Sequence, residues 1–133
     1  MREISAKDKM KRTVIKPTKY GNNKPFAFGR VWDSNKELAR YCELLLLEKA
    51  GLITELETQP RFLIVDTVRG YGRTLCKRYY SADFGYYEVG KSKKVIEDVK
   101  CVATAEDKTY RLKRQIFLDK YGSGLDFREI IDL

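Results

Sequence analysis

The stretch KKVIEDVK, Lys93 to Lys100, has the β-branched residues of a strand in Val95, Ile96 and Val99, with Val102 just beyond. It also carries two acids and a lysine where a buried strand would be apolar. Side chains alternate faces along a strand, so Asp98 and Lys100 share one face while Val95, Glu97, Val99 and Cys101 take the other. A carboxylate and an ammonium therefore point the same way, two residues apart. An arbitrary D-x-K is ordinarily a solvated edge strand with a weak ion pair, so its meaning rests on what surrounds it. By the same alternation Glu97 reads as a surface charge, unless a bulge exchanges it with Asp98.

Upstream, RYYSADFGYYEV (78–89) is strongly β, and Gly90-Lys91-Ser92 makes a tight turn into the first stretch. Asp83 is an acid in a run of aromatics, a position that disfavours Asp. Ala82, Phe84 and Tyr86 form one face; Ser81, Asp83 and Gly85 form the other, and the small neighbours leave Asp83 accessible. A hairpin brings Asp83 near Asp98 across the ladder. Two carboxylates at close range repel unless a cation sits between them. Mg²⁺, with water in its remaining octahedral positions, suits such an oxygen pair. Lys100 on the same face would orient or deprotonate an attacking water, or neutralise charge developing on a phosphate.

Further out, TELETQPRFLIVD (54–66) reads as a strand with Pro60 forcing an irregularity near its start. TVRGYGRTLCK (67–77) is a loop or hairpin turn. Its Gly70-x-Gly72 precedes a strand rather than a helix, which favours turn chemistry over a phosphate cradle. KPFAFGRVWDS (24–34) is an aromatic lead-in expected to pack on the body. A helix then starts at Ser34, with Glu37 as its capping-box partner. Leu38, Tyr41, Cys42, Leu45 and Leu46 recur at helical spacing, and Gly51 supplies the stop. After the opening stretch, TAEDKTYRLKRQIFLDKYG (104–122) carries Tyr110, Leu112, Ile116, Phe117 and Tyr121 as a second helix stopped by Gly122. LDFREIIDL (125–133) closes the chain as a strand. The order α-β-β-β-α-β predicts an α/β fold, a small mixed sheet flanked by helices.

At 133 residues, 43% hydrophobic and 12% aromatic, the chain suits one folded domain. Its longest apolar run, Leu44 to Leu47, is far short of the roughly 18 residues of a membrane span. The N-terminus lacks the apolar segment of a signal peptide. Cys42, Cys76 and Cys101 fit neither a disulfide framework nor a zinc site, and read as packed, reduced thiols of a cytoplasmic protein. A histidine count of 0 excludes Ser-His-Asp and Cys-His nucleophiles, His-ligated zinc and histidine general bases. Hydrolytic chemistry would have to run on carboxylates, Lys, Tyr and an oxygen-liking metal. The net charge of +8 is uneven: residues 1–24 hold eight Lys/Arg, Lys7, Lys9, Lys11 and Arg12 among them, against Glu3 and Asp8. That is a basic, flexible arm ahead of a nearly balanced domain, 25–133. It suits a polyanion, nucleic acid foremost, or serves solubility.

An Asp on one hairpin strand, then (D/E)-x-K on the next, after a helix bearing an acid, resembles the PD-(D/E)xK nuclease superfamily over most of residues 28–133. The resemblance implies a restriction-endonuclease-like core, metal ligands at Asp83 and Asp98, a catalytic lysine at Lys100 and a helix acid at Glu37. Ala82 stands where that superfamily has its proline. The runs FGRVWDSNKELARYCELLLLEKAGLITELETQPRF, YYSADFGYY, VIEDVK and KTYRLKRQIFLDKYG are similar to a small phage-encoded family of such proteins. That family, long carried as a domain of unknown function, is thought to resemble Holliday junction resolvases. It implies a Mg²⁺-dependent endonuclease, with Mn²⁺ as substitute, that cuts branched DNA in a bacterial cytoplasm. A homodimer would match the two-fold symmetry of a junction.

Several residues keep two readings. Glu37 joins the metal or only caps its helix. Gln59, in the family's Q-P block, orients the site or bonds structurally. Lys113 and Arg114 contact phosphate or form a solvated helix face. Trp32 and the tyrosines stack on unpaired bases or pack inside. Two other functions fit the same fold: a non-catalytic DNA-binding module, and a protein that binds a host enzyme.

Overall fold

A computed structural model describes residues 24–132, in two compact units whose boundary falls between Glu43 and Leu44, inside the first helix. In the first unit the lead-in forms a two-residue ribbon, β1 (Phe26–Ala27) against β2 (Arg30–Val31). Phe28 and Gly29 close it with φ of 54° and 76°, the paired positive values that match strand twist in a tight hairpin. Trp32 is buried; its indole N–H donates to the Ala27 carbonyl at 2.9 Å and its ring lies 4.8 Å from that of Tyr41. Packing, not base stacking, is therefore the use of Trp32.

Helix α1 (Asn35–Lys49) begins at the expected cap: Ser34 Oγ accepts from the Glu37 N–H at 3.1 Å. The Glu37 carboxylate reaches back one residue further than a capping box requires, accepting from the Asp33 N–H at 3.2 Å. At the other end the Leu52 N–H bonds to the Leu47 carbonyl and the Gly51 N–H to that of Glu48, with Gly51 at φ 78°. That is a Schellman stop, and it needs the left-handed residue that glycine supplies. Glu37 and Leu44 are the fully buried positions of α1, while Cys42 and Leu46, expected on the packed face, are exposed. Four consecutive leucines step about 100° apiece around the axis, so no single face can bury them all.

The second unit is built on a mixed sheet of four strands in the order β3-β6-β7-β8. These are β3 (Ile53–Thr58), β6 (Phe84–Glu88), β7 (Lys94–Cys101) and β8 (Leu125–Asp132), antiparallel except for the parallel β7–β8 pair. A second ladder joins β4 (Arg61–Val65) to β5 (Arg78–Ser81). The strand expected over 54–66 thus breaks at Gln59-Pro60, and the one over 78–89 breaks opposite it at Ala82-Asp83. Pro60 cannot donate to a ladder, and Gln59 sits at φ 54°. The hairpin bends there without losing register: the Gln59 N–H bonds to the Asp83 carbonyl at 2.8 Å and the Ala82 N–H to that of Pro60 at 3.0 Å. With each bent arm counted as one strand, the order is the expected α-β-β-β-α-β, and the fold is mixed α/β.

The single helix expected over 104–122 is instead a short turn, α2 (Val102–Ala105), and a main helix, α3 (Lys108–Tyr121). Asp107 divides them because its carboxylate caps α3, accepting from the Tyr110 N–H at 3.0 Å. Gly122 keeps a right-handed φ of −58° and opens a 3₁₀ turn rather than stopping the chain in the left-handed region. Helix α3 covers one sheet face. Phe117 is buried there with Ile64, Tyr80, Ala82 and Ile96, its ring stacked 4.5 Å from Tyr80.

β7 is interior and buried on both sides: Ile96 and Asp98 on the α3 face, Val95 and Glu97 on the other. The cysteines are all exposed, against the expectation of packed thiols: Cys42 on α1, Cys76 in a loop, Cys101 at the end of β7. Among the described residues no helix is long and apolar enough to cross a membrane.

Candidate active site at the bend of the hairpin

The ladder between β6 and β7 runs Tyr86↔Val95, Gly85↔Ile96, Phe84↔Glu97 and then ends, because the hairpin bends away. Asp83 occupies the point of departure. Its N–H donates to the Glu97 carbonyl at 2.9 Å, and its Oδ2 accepts from the Val99 N–H at 2.7 Å. Asp83 is therefore held between Glu97 and Val99, across the ladder from Asp98, with a carboxylate replacing the carbonyl that a straight strand would have offered. It is half-buried where an accessible position was expected.

Asp98 is 0% exposed. Its Oδ2 accepts from the Tyr80 hydroxyl. Its Oδ1 takes no hydrogen bond of regular geometry among the described residues and faces Lys100 Nζ at 2.8 Å as an ion pair. Asp98 and Lys100 do share a face, as alternation requires. The Lys100 ammonium also lies 5.2 Å from the centroid of the Tyr110 ring, within cation–π range. Burial first, and the Asp98 charge second, push the Tyr80 hydroxyl far above the ordinary tyrosine value. Tyr80 is thus a fixed donor at any physiological pH. Burial also raises Tyr110, followed by its hydrogen bond to Glu129. Glu129 in turn takes both Arg114 bonds, at 2.8 and 2.9 Å. Arg114, expected as a phosphate contact or solvated charge, is committed to that pair.

Glu97 is not the surface charge that alternation suggested. It is 0% exposed on the face opposite Asp98 and accepts from the Tyr86 hydroxyl. The expectation assumed a sheet with one wet face; β7 has none. Glu37, in the first unit, is 2% exposed, with Oε2 3.8 Å from Arg30 Nη2. An acid so buried is unusual unless paired. Gln59 is exposed, and its backbone, through the bond to the Asp83 carbonyl, is what meets the site.

The match to the family "Protein of unknown function (DUF1064)" runs over residues 17–130. This chain belongs to DUF1064. No curated protein and no solved structure matches it.

Among the described residues of this DUF1064 chain, no group of three His, Cys, Asp or Glu gathers to hold a metal ion. The residues at the bend nonetheless suit Mg²⁺. It is commonly held by one or two carboxylates, with waters and phosphate oxygens completing the octahedron. Asp83 and Asp98 are two such carboxylates, with the buried Asp98 Oδ1 already facing the Lys100 ammonium at 2.8 Å. Lys113 is half-buried on α3 with no ion pair to a described residue. Lys7, Lys9, Lys11 and Arg12 lie outside the described residues. Sequence pattern does not mark Tyr80, Tyr110 or Glu129 for the site. Their hydrogen-bond partners lie 18 or 19 residues away, so no local spacing reveals them.

Proposed function

We propose that this DUF1064 chain is a Mg²⁺-dependent endonuclease with a restriction-endonuclease-like core, acting on branched DNA as a homodimer. One observation carries the reading: a fully buried aspartate, ion-paired to a lysine two residues on, with a second aspartate fixed across from it where the hairpin opens. Buried charge costs stability that apolar residues would not, and a strand interior that retains it points to chemistry. Asp83 and Asp98 would hold the ion. Once bound, it supplies Lewis-acid polarisation of a scissile phosphate and acidifies a bound water.

Within the chain, Tyr80 fixes the orientation of Asp98. The Lys100 ammonium would hold a phosphate oxygen or the attacking water against developing charge. The superfamily resemblance adds Glu37 as a further acid, a junction-like substrate and a phage setting in a bacterial cytoplasm. The Lys100 ammonium, 2.8 Å from Asp98 Oδ1, balances that charge without a metal, and this favours a second reading, the same fold binding DNA without cutting it.

The two separate cleanly in a cleavage assay on a four-way junction, a flap and a linear duplex with Mg²⁺ or Mn²⁺. The nuclease reading expects cutting that EDTA stops. It also expects Asp83→Asn and Asp98→Asn to abolish cutting while DNA binding stays intact or tightens. Binding without cutting in either metal leaves the second reading.

A further inference from the structure

We propose that the loop joining β4 to β5 is a contact for an unpaired DNA strand, with Tyr71 as its stacking platform and Arg69 and Arg73 as its phosphate clamps. Val68 and Leu75 exchange hydrogen bonds of 2.9 and 2.8 Å, so the six residues Arg69 to Thr74 form a closed tip. Tyr71, at 76% exposure, is the most exposed large apolar side chain among the described residues. Gly70 and Gly72 flank it at φ 96° and 79°, backbone states that side-chain-bearing residues rarely adopt, and nothing lies within 4 Å of where a Cβ would stand. This geometry presents the ring to solvent and leaves room for a backbone to approach.

A single exposed aromatic needs no explanation by itself. The charge around this one does. The loop, residues 66–77, holds Arg69, Arg73 and Lys77 against the one acid Asp66 at its base, a local +2. With +6 in residues 1–24 and +8 in total, the rest of the chain is net zero. The positive excess therefore resides in the arm and this loop alone. Several of the body's cations are paired with acids, as Arg114 is with Glu129 and Arg128 with Glu88 and Asp126. None of the three loop cations has an ion pair to a described residue, and Arg69 makes only a 3.4 Å bond to Thr74 Oγ1. Cations interleaved with an exposed ring are what a strand of splayed bases binds, since every base has a π-face and every phosphate a charge. A duplex hides those faces. The choice of DNA rests on the proposed nuclease reading; the choice of an unpaired strand rests on the ring.

The test is fluorescence anisotropy of a labelled oligo-dT and of a blunt duplex, with EDTA present so that nothing is cut. Tyr71→Ala weakens oligo-dT binding about 5-fold or more, the low end for losing one stacked base, and changes duplex binding little. Arg69→Ala with Arg73→Ala lowers the salt slope on oligo-dT by about 1.4, roughly 0.7 for each phosphate left without its arginine. The tip is exposed, so both variants should melt as the wild type does. No oligo-dT binding by the wild type, or binding unchanged in both variants, overturns the assignment. Junction cutting by the wild type beside unaltered variants removes the loop and leaves the nuclease reading. Weakened oligo-dT binding by the variants of a protein that cuts nothing does the reverse.

Discussion

Glu97 and Asp98 are neighbours in the chain, both fully buried, and each takes a tyrosine hydroxyl on its own face of the sheet. The two arrangements look alike, but Asp98 has a lysine at 2.8 Å and an aspartate across the ladder. Removing a hydroxyl tests which acid has chemistry to do. Tyr80→Phe and Tyr86→Phe each withdraw a donor from a buried carboxylate, at a cost of about 1–3 kcal/mol in urea unfolding. Tyr80→Phe should also slow cleavage, because Asp98 loses the bond that orients it. Tyr86→Phe should not, beyond what lower stability explains. Equal cleavage rates for the two variants at a temperature where both are folded would detach Asp98 from the reaction.

The bend in the hairpin is the element on which the site depends, and Gln59 is its tightest point. A non-glycine residue held at φ 54° stores strain, and the one bond this backbone makes to the site runs from its N–H to the Asp83 carbonyl. Gln59→Gly keeps that N–H and relieves the strain while loosening the unfolded chain, so stability should stay within about 1 kcal/mol of wild type. Gln59→Val, β-branched at positive φ, should cost about 1–2 kcal/mol. If the backbone bond is the contribution of Gln59, the glycine variant cuts DNA at the wild-type rate; a dead but stable glycine variant would assign the role to its amide. Sequence alone exposed the irregularity at Pro60 and the misfit of Asp83, because each is a local violation of strand chemistry. It could not show that the two faced each other, since pairing across some 24 residues is set by the ladder and not by neighbours. The cap at Ser34 and the stop at Gly51 were legible for the opposite reason: both are decided within one turn. Glu97 was misread because alternation reports which residues share a face, never whether that face is wet.

Charge organises the whole molecule. With the arm at +6, the loop at +2 and the remainder at zero, affinity for DNA should be separable by segment. Deleting residues 1–24 is expected to flatten the salt dependence of duplex binding, by about 0.9 for each phosphate the arm would neutralise, without unfolding the domain. An unchanged slope in filter binding would leave the interface to the body.

Symmetry completes the reading at this scale. On the proposed nuclease reading one pair of carboxylates would nick one strand per encounter, and resolving a four-way junction would take two matched nicks, which a two-fold dimer would present together. An isologous contact needs apolar surface, and the first unit exposes it: Phe26, Phe28 and Val31 are 47%, 60% and 46% exposed on one small ribbon. Phe28→Asp places a charge in that contact. Light scattering should then show the mass fall from dimer to monomer, and paired junction cuts should become single nicks at an unchanged rate per site. A wild type that is monomeric with and without junction DNA would remove the dimer and recast the proposed nuclease as a nickase or flap nuclease, because a site built within one chain would need no partner to cut one strand.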